Sequence, residues 1–458
     1  MAVSTFEKNK HLLSRAGFGI QFHQIADLSK KSTEEFWSQM NSKKSLKPIS
    51  IVSPEDNLDY TTLAKMDANS KKEKLHKNRE QNIGLNLKFF NEMVNSENQL
   101  QEKMAFFWNG HFATRVINSQ FNQDLLNIVR ENALGNFGDL LKAVSKSPAM
   151  LQFLNNQQNK KDHPNENFAR EVMELFTMGR GNYTEKDVKE GARAFTGWGF
   201  QKNGVFFARP FLHDSGSKTF LGKTGNFNGD EALDIILSQK ATAKFITRKI
   251  YKFFVNESID ESIVADLSEK FYASNYDIKK LMTNIFTSTW FYDQKNIGAK
   301  IKSPIELMAG IIRILPTKIE NAKGLIVYQK LLGQMLLYPP NVAGWPSGEA
   351  WIDSSTLFLR MQLPQIWSGL RPLDVQPKAD DDLEMGMGNI VQKNKNTVND
   401  NFTIDWPKVE AEFKGRNVAD ILLQKKMNGD GKYIDQFSDG SIKMTIINIM
   451  SVPEFQLC

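Results

Sequence analysis

The chain holds 458 residues, with 58 Lys and Arg against 52 Asp and Glu, a formal net charge of +6 and 41% hydrophobic residues. This is the balance of a soluble globular protein with a large core, built as two lobes or one elaborated domain. The only cysteine is Cys458, which rules out an intrachain disulfide and a cysteine metal cluster; no leader-like segment and no apolar run of membrane-spanning length occurs. Read from Met1, the chain is expected to be cytoplasmic, and its modest positive charge permits an anionic partner without requiring one.

The first forty residues read as a helix broken at Gly17 and Gly19, then a second helix near 33–40. Residues 47–59, with Pro48 and Pro54, form a loop, and the charged run 70–79 is a solvated helix or segment. Helical periodicity resumes over 83–112, 118–129 and 137–144, and Pro148 opens the next helix. Residues 167–198 read as helix, glycine turn, helix: Gly179 and Gly181 end the first, and Thr184 with Asp187 caps the second. At about 100° per residue, Glu171 falls inside the apolar stripe of Phe168, Val172, Leu175 and Phe176, with Glu174 at its edge. A carboxylate on a core-facing arc must be paired, metal-bound or neutralised.

Beyond Trp198 the period changes, and 204–211 with 219–221 predict a small hairpin. Helices resume at 230–238, 241–254, 259–273, 277–287, 304–314 and 354–362, around an irregular 339–346. Residues 376–401 are polar with few apolar anchors, the composition of a flexible insertion, and helices near 409–424 and 442–450 close the chain. The expected fold is mainly α: a multi-helix globular protein with a small β-hairpin near 204–221. Residues 1–372 form the main helical domain, 373–401 an insertion, and 402–458 C-terminal helices packing on the main body.

Several stretches carry a resemblance: HLLSRAGFG from His11, EKMAFFWNGHFATR from Glu102, NFAREVMELFTMG from Asn167 and YTEKDVKEGARAFTGW from Tyr183. LHDSGSKTFLG from Leu212, ATAKFITRKIYKFFV from Ala241 and PPNVAGWPSGEAWID from Pro339 continue it. In this order they resemble the bacterial family catalogued as domain of unknown function 1800 (DUF1800), over roughly residues 11–360. Members often carry a second histidine where this chain has Asn109, and a histidine where it has Phe176; many are exported. The resemblance implies no particular reaction.

Of six histidines, His111 and His213 lie in these aromatic-rich segments, and Asp214 follows His213. With Glu171 and Glu174 they make an oxygen and nitrogen set suited to zinc, iron or manganese. Glu171 or Glu174 would then be ligand or general base, and His213 with Asp214 an oriented acid–base pair in hydrolytic or metal-assisted chemistry. No His-Glu-x-x-His, phosphate loop, dinucleotide fingerprint or Gly-x-Ser-x-Gly elbow is present. The structural alternative is as concrete: Arg170 pairs with Glu174, Arg193 or a tryptophan nitrogen satisfies Glu171, and both histidines bond backbone. Lys240, Lys244, Arg248 and Lys252 recur every four residues, a stripe for phosphate or an anionic polymer, or a solvated face. Trp345 and Trp351 make a rigid aromatic loop pair, a platform for polysaccharide or peptide or a loop anchor. Asn428 to Gly431 hints at a calcium loop but lacks its acidic ladder. Two readings stand: a Glu/His site with chemistry, or a non-enzymatic binding or assembly protein that uses the tryptophan loops or basic helix face.

Overall fold

The computed structural model describes residues 3–42, 45–56, 60–374, 401–427 and 439–458. The expected polar insertion therefore lies outside the described residues except at its ends, as does the 428–431 turn. Among the described residues the chain is mainly helical, with three two-stranded antiparallel sheets, and no helix is long and apolar enough to cross a membrane.

Helix starts follow their caps. Ser4 with Glu7, Thr184 with Asp187, Asn228 with Glu231 and Ser303 with Glu306 each form a reciprocal capping box, which satisfies amide donors that the first turn leaves open. The charged run 70–79 is the exposed first half of the long helix Ala68–Asn95, whose second half buries Leu85, Phe89, Phe90 and Met93. The expected closing helix near 409–424 is divided at Gly415, which takes a φ of +75°, into Trp406–Phe413 and Val418–Leu422.

Helix Gln99–His111 threads the interior, with only Gln101 and Gly110 short of full burial. Its two charged side chains enter the core as pairs: Glu102 takes a two-pronged contact from Arg130 at 2.6 and 2.9 Å, and Lys103 meets Glu306 at 2.5 Å. One apolar cluster extends from Leu12 to Phe455. The C-terminal segment is part of it, and Phe402–Ile404 pairs with Thr317–Ile319 while Cys458 N donates to the Lys300 carbonyl at 2.8 Å.

The predicted change of period is present, but the strands pair differently. Phe206–Ala208 turns back on Trp198–Phe200, and Lys218–Phe220 pairs forward with Lys223–Gly225. Leu221 and Gly222, both at positive φ (+48° and +81°), form the two-residue turn that matches strand twist, so the second hairpin closes locally. The 204–211 and 219–221 runs are thus separate hairpins, not partners.

Candidate functional site

The helix that carries Glu171 is not regular. Asn167–Glu171 is α-helical, but Val172–Thr177 winds as a π-helix, with Met178 N donating to the Met173 carbonyl at 2.9 Å and Thr177 Oγ1 to Val172 at 2.6 Å. The wider turn advances each residue through a smaller angle than an α-helix does. Phe168, Ala169, Val172, Met173, Phe176 and Thr177 consequently face the core, while Glu171, Glu174 and Leu175 are only half-buried. The expectation of a Glu171 locked inside the apolar stripe is corrected here. Glu171 makes no hydrogen bond or ion pair among the described residues, and burial together with the neighbouring Glu174 raises its carboxyl above the usual range. Glu174 accepts from Arg180 Nε at 2.5 Å and from the Tyr183 hydroxyl at 2.9 Å. Arg170 turns to Glu166 and Glu185 instead, at 3.1 and 2.7 Å.

His213 and Asp214 are held by different partners. His213 Nδ1 lies 3.0 Å from the Thr196 carbonyl, which can only accept. Asp214 receives Arg193 through Nε at 2.7 Å and Nη2 at 3.2 Å, and that contact lowers its carboxyl below the usual range. Arg193 also holds Glu190, so this group ties helix Glu185–Ala194 to the second hairpin. Among the described residues no three His, Cys, Asp or Glu side chains gather as a metal-ligand group, so His111, Glu171, Glu174 and His213 are not brought together as a ligand set.

His111 belongs to a different constellation. It ends helix Gln99–His111, its ring stacked on Phe107 and edged by Phe112. Nε2 lies 3.0 Å from the Phe176 carbonyl, which fixes that nitrogen as the donor and leaves Nδ1 as an acceptor. Lys249 Nζ approaches Nδ1 at 3.2 Å and also donates to the Leu175 carbonyl at 3.2 Å. The two side chains thereby close carbonyls at the end of the π-helix. Burial, then the Lys249 charge, hold the imidazole far below its ordinary range, so it is neutral. Burial alone pulls the Lys249 ammonium down to about 8, and no carboxylate pairs with it among the described residues.

These groups open on a cleft of about 260 Å³ whose walls come from sequence-distant segments. Phe107 and His111, Lys249 and Phe253 of helix Lys240–Phe254, Trp345 and Trp351, and Lys300 with Glu306 all line it. Gly344, at φ +86°, brings the tryptophan loop so close to the Gly110 carbonyl that a side chain there would collide with it. Trp351 is buried and Trp345 half-buried, so both are cleft walls more than an open platform. The basic stripe is mostly paired: Lys240 with Glu269, Arg248 with Glu261 and Lys252 with Glu257; Lys244 is exposed. A larger groove of about 1020 Å³ runs past Phe22, His23 and Arg313, but Arg313 is engaged there by the Gly19 and Val94 carbonyls.

Lys249 was missing from the sequence candidates, yet a signal existed. It lies off the four-residue basic repeat and midway between Phe245 and Phe253, on an aromatic face, with Nζ 5.0 Å from the Phe245 ring centre. Lys103, Lys300 and Glu306 carried no comparable signal, because their burial depends on helices far apart in the chain.

No curated protein and no solved structure matches the chain. The family described as "Protein of unknown function (DUF1800)" matches residues 11–457, and the chain belongs to that family.

Proposed function

We propose that the cleft binds a small organic anion whose flat or apolar body lies against Trp345, Trp351 and Phe253. The observation that carries this reading is Lys249, a cation in an aromatic cleft with no carboxylate partner among the described residues. An ammonium drawn out of water is costly unless an opposite charge returns, and a ligand anion supplies one. The surrounding charges favour the same sign of ligand. Lys252 is balanced by Glu257, and Glu306 by Lys103 and Lys300, so Lys249 is the cleft cation without a carboxylate among the described residues.

The test is a calorimetric and tryptophan-fluorescence titration with benzoate and with inorganic phosphate, on the native chain and on Lys249→Met. Saturable benzoate binding, weakened about ten-fold or more in the variant, is expected from the loss of one charged hydrogen bond. Equal affinity in both proteins, or no saturable binding of either anion, would overturn the reading. A second reading keeps chemistry at Glu171, and it rests on that carboxyl's raised protonation range and lack of a partner. There, Glu171→Gln would abolish a hydrolytic activity while leaving benzoate binding intact.

A further inference from the structure

The same cleft holds the parts of an activated amine. We propose that Lys249 forms an imine with an aldehyde or ketone admitted to the cleft, with His111 as the acceptor of its proton. This rests on the preceding reading in one respect: the cleft must admit a small polar ligand beside Lys249.

The geometry is that of a nucleophile, a base and an orienting group in series. The Phe176 carbonyl takes the Nε2 proton of His111, so the lone pair of Nδ1 faces Lys249 Nζ at 3.2 Å. A lysine acts as a nucleophile only as the free amine, and its burial without a carboxylate partner favours that form. The charged and titratable groups sharing the cleft are His111, Lys252, Glu257, Lys300 and Glu306. The two carboxylates among them are already held by Lys252 and Lys103 respectively, so neither holds Lys249 in its charged state. Lys300 Nζ is engaged by the Phe253 carbonyl, as Lys249 Nζ is by that of Leu175.

The step balances without an external oxidant or reductant. The Nζ lone pair of the free amine adds to the carbonyl carbon as the C=O π pair moves to oxygen, and the nitrogen, made acidic by its new bond, passes one proton to Nδ1 of His111. The resulting carbinolamine oxygen collects two protons, one from nitrogen and one returned by His111. It leaves as water while nitrogen forms the second bond to carbon. An amine and a carbonyl thus yield an imine and one water.

The experiment uses the full chain with glyoxylate and sodium cyanoborohydride at pH 7, followed by peptide mapping of the reduced secondary amine. Lys249 should be labelled at least about ten-fold faster than the exposed Lys244, because its burial favours the free amine that adds to a carbonyl. Lys249→Arg should lose the label, and His111→Gln should slow labelling of Lys249 without changing that of Lys244. Should His111→Gln fail to fold, the pH dependence of Lys249 labelling in the native chain replaces it, with half-maximal rate expected near 8. Labelling of Lys249 no faster than Lys244 overturns the imine; if benzoate still binds, the anion-binding reading survives alone. Fast labelling of Lys249 without benzoate binding upholds the imine and removes the anion reading.

Discussion

Glu306→Gln tests whether the lining of the cleft is held by charge. Glu306 is 6% exposed and accepts Lys103 Nζ at 2.5 Å and Ser303 N at 2.8 Å, while Lys103 is 1% exposed with its ammonium 4.7 Å from the Phe18 ring centre. Glutamine preserves the oxygen that caps the helix, so the change removes charge and little else. It leaves Lys103 buried without an anion, and breaking a buried pair on one side costs about 3–5 kcal/mol. That is a large part of the roughly 5–15 kcal/mol by which a domain is stable. Replacing both partners, as in Lys103→Met with Glu306→Leu, removes the stranded charge and is expected to cost less than about 2 kcal/mol. Urea unfolding at pH 7, followed by helical circular dichroism, gives each value. The reasoning is refuted if Glu306→Gln lies within about 1 kcal/mol of the native chain, or if the double variant is no better than the single. The pH dependence carries a sign as well. Burial opposes ionisation of Glu306, but Lys103 and Lys300 override it and hold the carboxyl far below the usual range. Its contribution is therefore complete above the unfolded value of about 4.3 and is lost as pH falls from there. Native protein should lose more stability than Glu306→Gln on acidification below that value.

Glu171→Gln is expected to shift stability by less than about 0.5 kcal/mol, since no partner is stranded; a loss above about 1 kcal/mol in urea unfolding would mean that a partner exists. Lys249→Met should stabilise the chain at pH 7, by about 1–2 kcal/mol. The Lys249 proton leaves the folded chain near pH 8 but the unfolded chain only near 10.4, so native stability rises through that window and the variant's does not. Thr184→Ala removes a reciprocal cap and should cost about 1 kcal/mol, with faster amide exchange confined to the start of helix Glu185–Ala194.

Much of the helical frame was legible because caps and breakers act locally. Thr184 with Asp187 and the glycines after Met178 each mark a boundary through hydrogen bonds or positive φ within a few residues. What failed depended on angle or on distance along the chain. A wheel of 3.6 residues misplaced Glu171 because Val172–Thr177 winds more widely. His213 stood out as the residue beside Asp214, but Thr196 and Arg193, not each other, are their partners. The pairing of the two hairpins turned on the positive φ of Leu221, a residue type that rarely adopts it. The tryptophan loop and His111 were both marked in the sequence, but only the close approach of Gly344 to Gly110 shows that they line one cleft. Lys249 joined them from a helix whose visible basic stripe drew attention to the wrong face.

The most direct test of the central claim is a crystal grown with 4-bromobenzoate and measured at the bromine absorption edge. The account predicts one strong anomalous peak between Trp345 and Phe253, with the carboxylate about 3 Å from Lys249 Nζ, and no such peak in Lys249→Met. A bromine bound elsewhere, or in the cleft with its carboxylate turned away from Lys249, would contradict it.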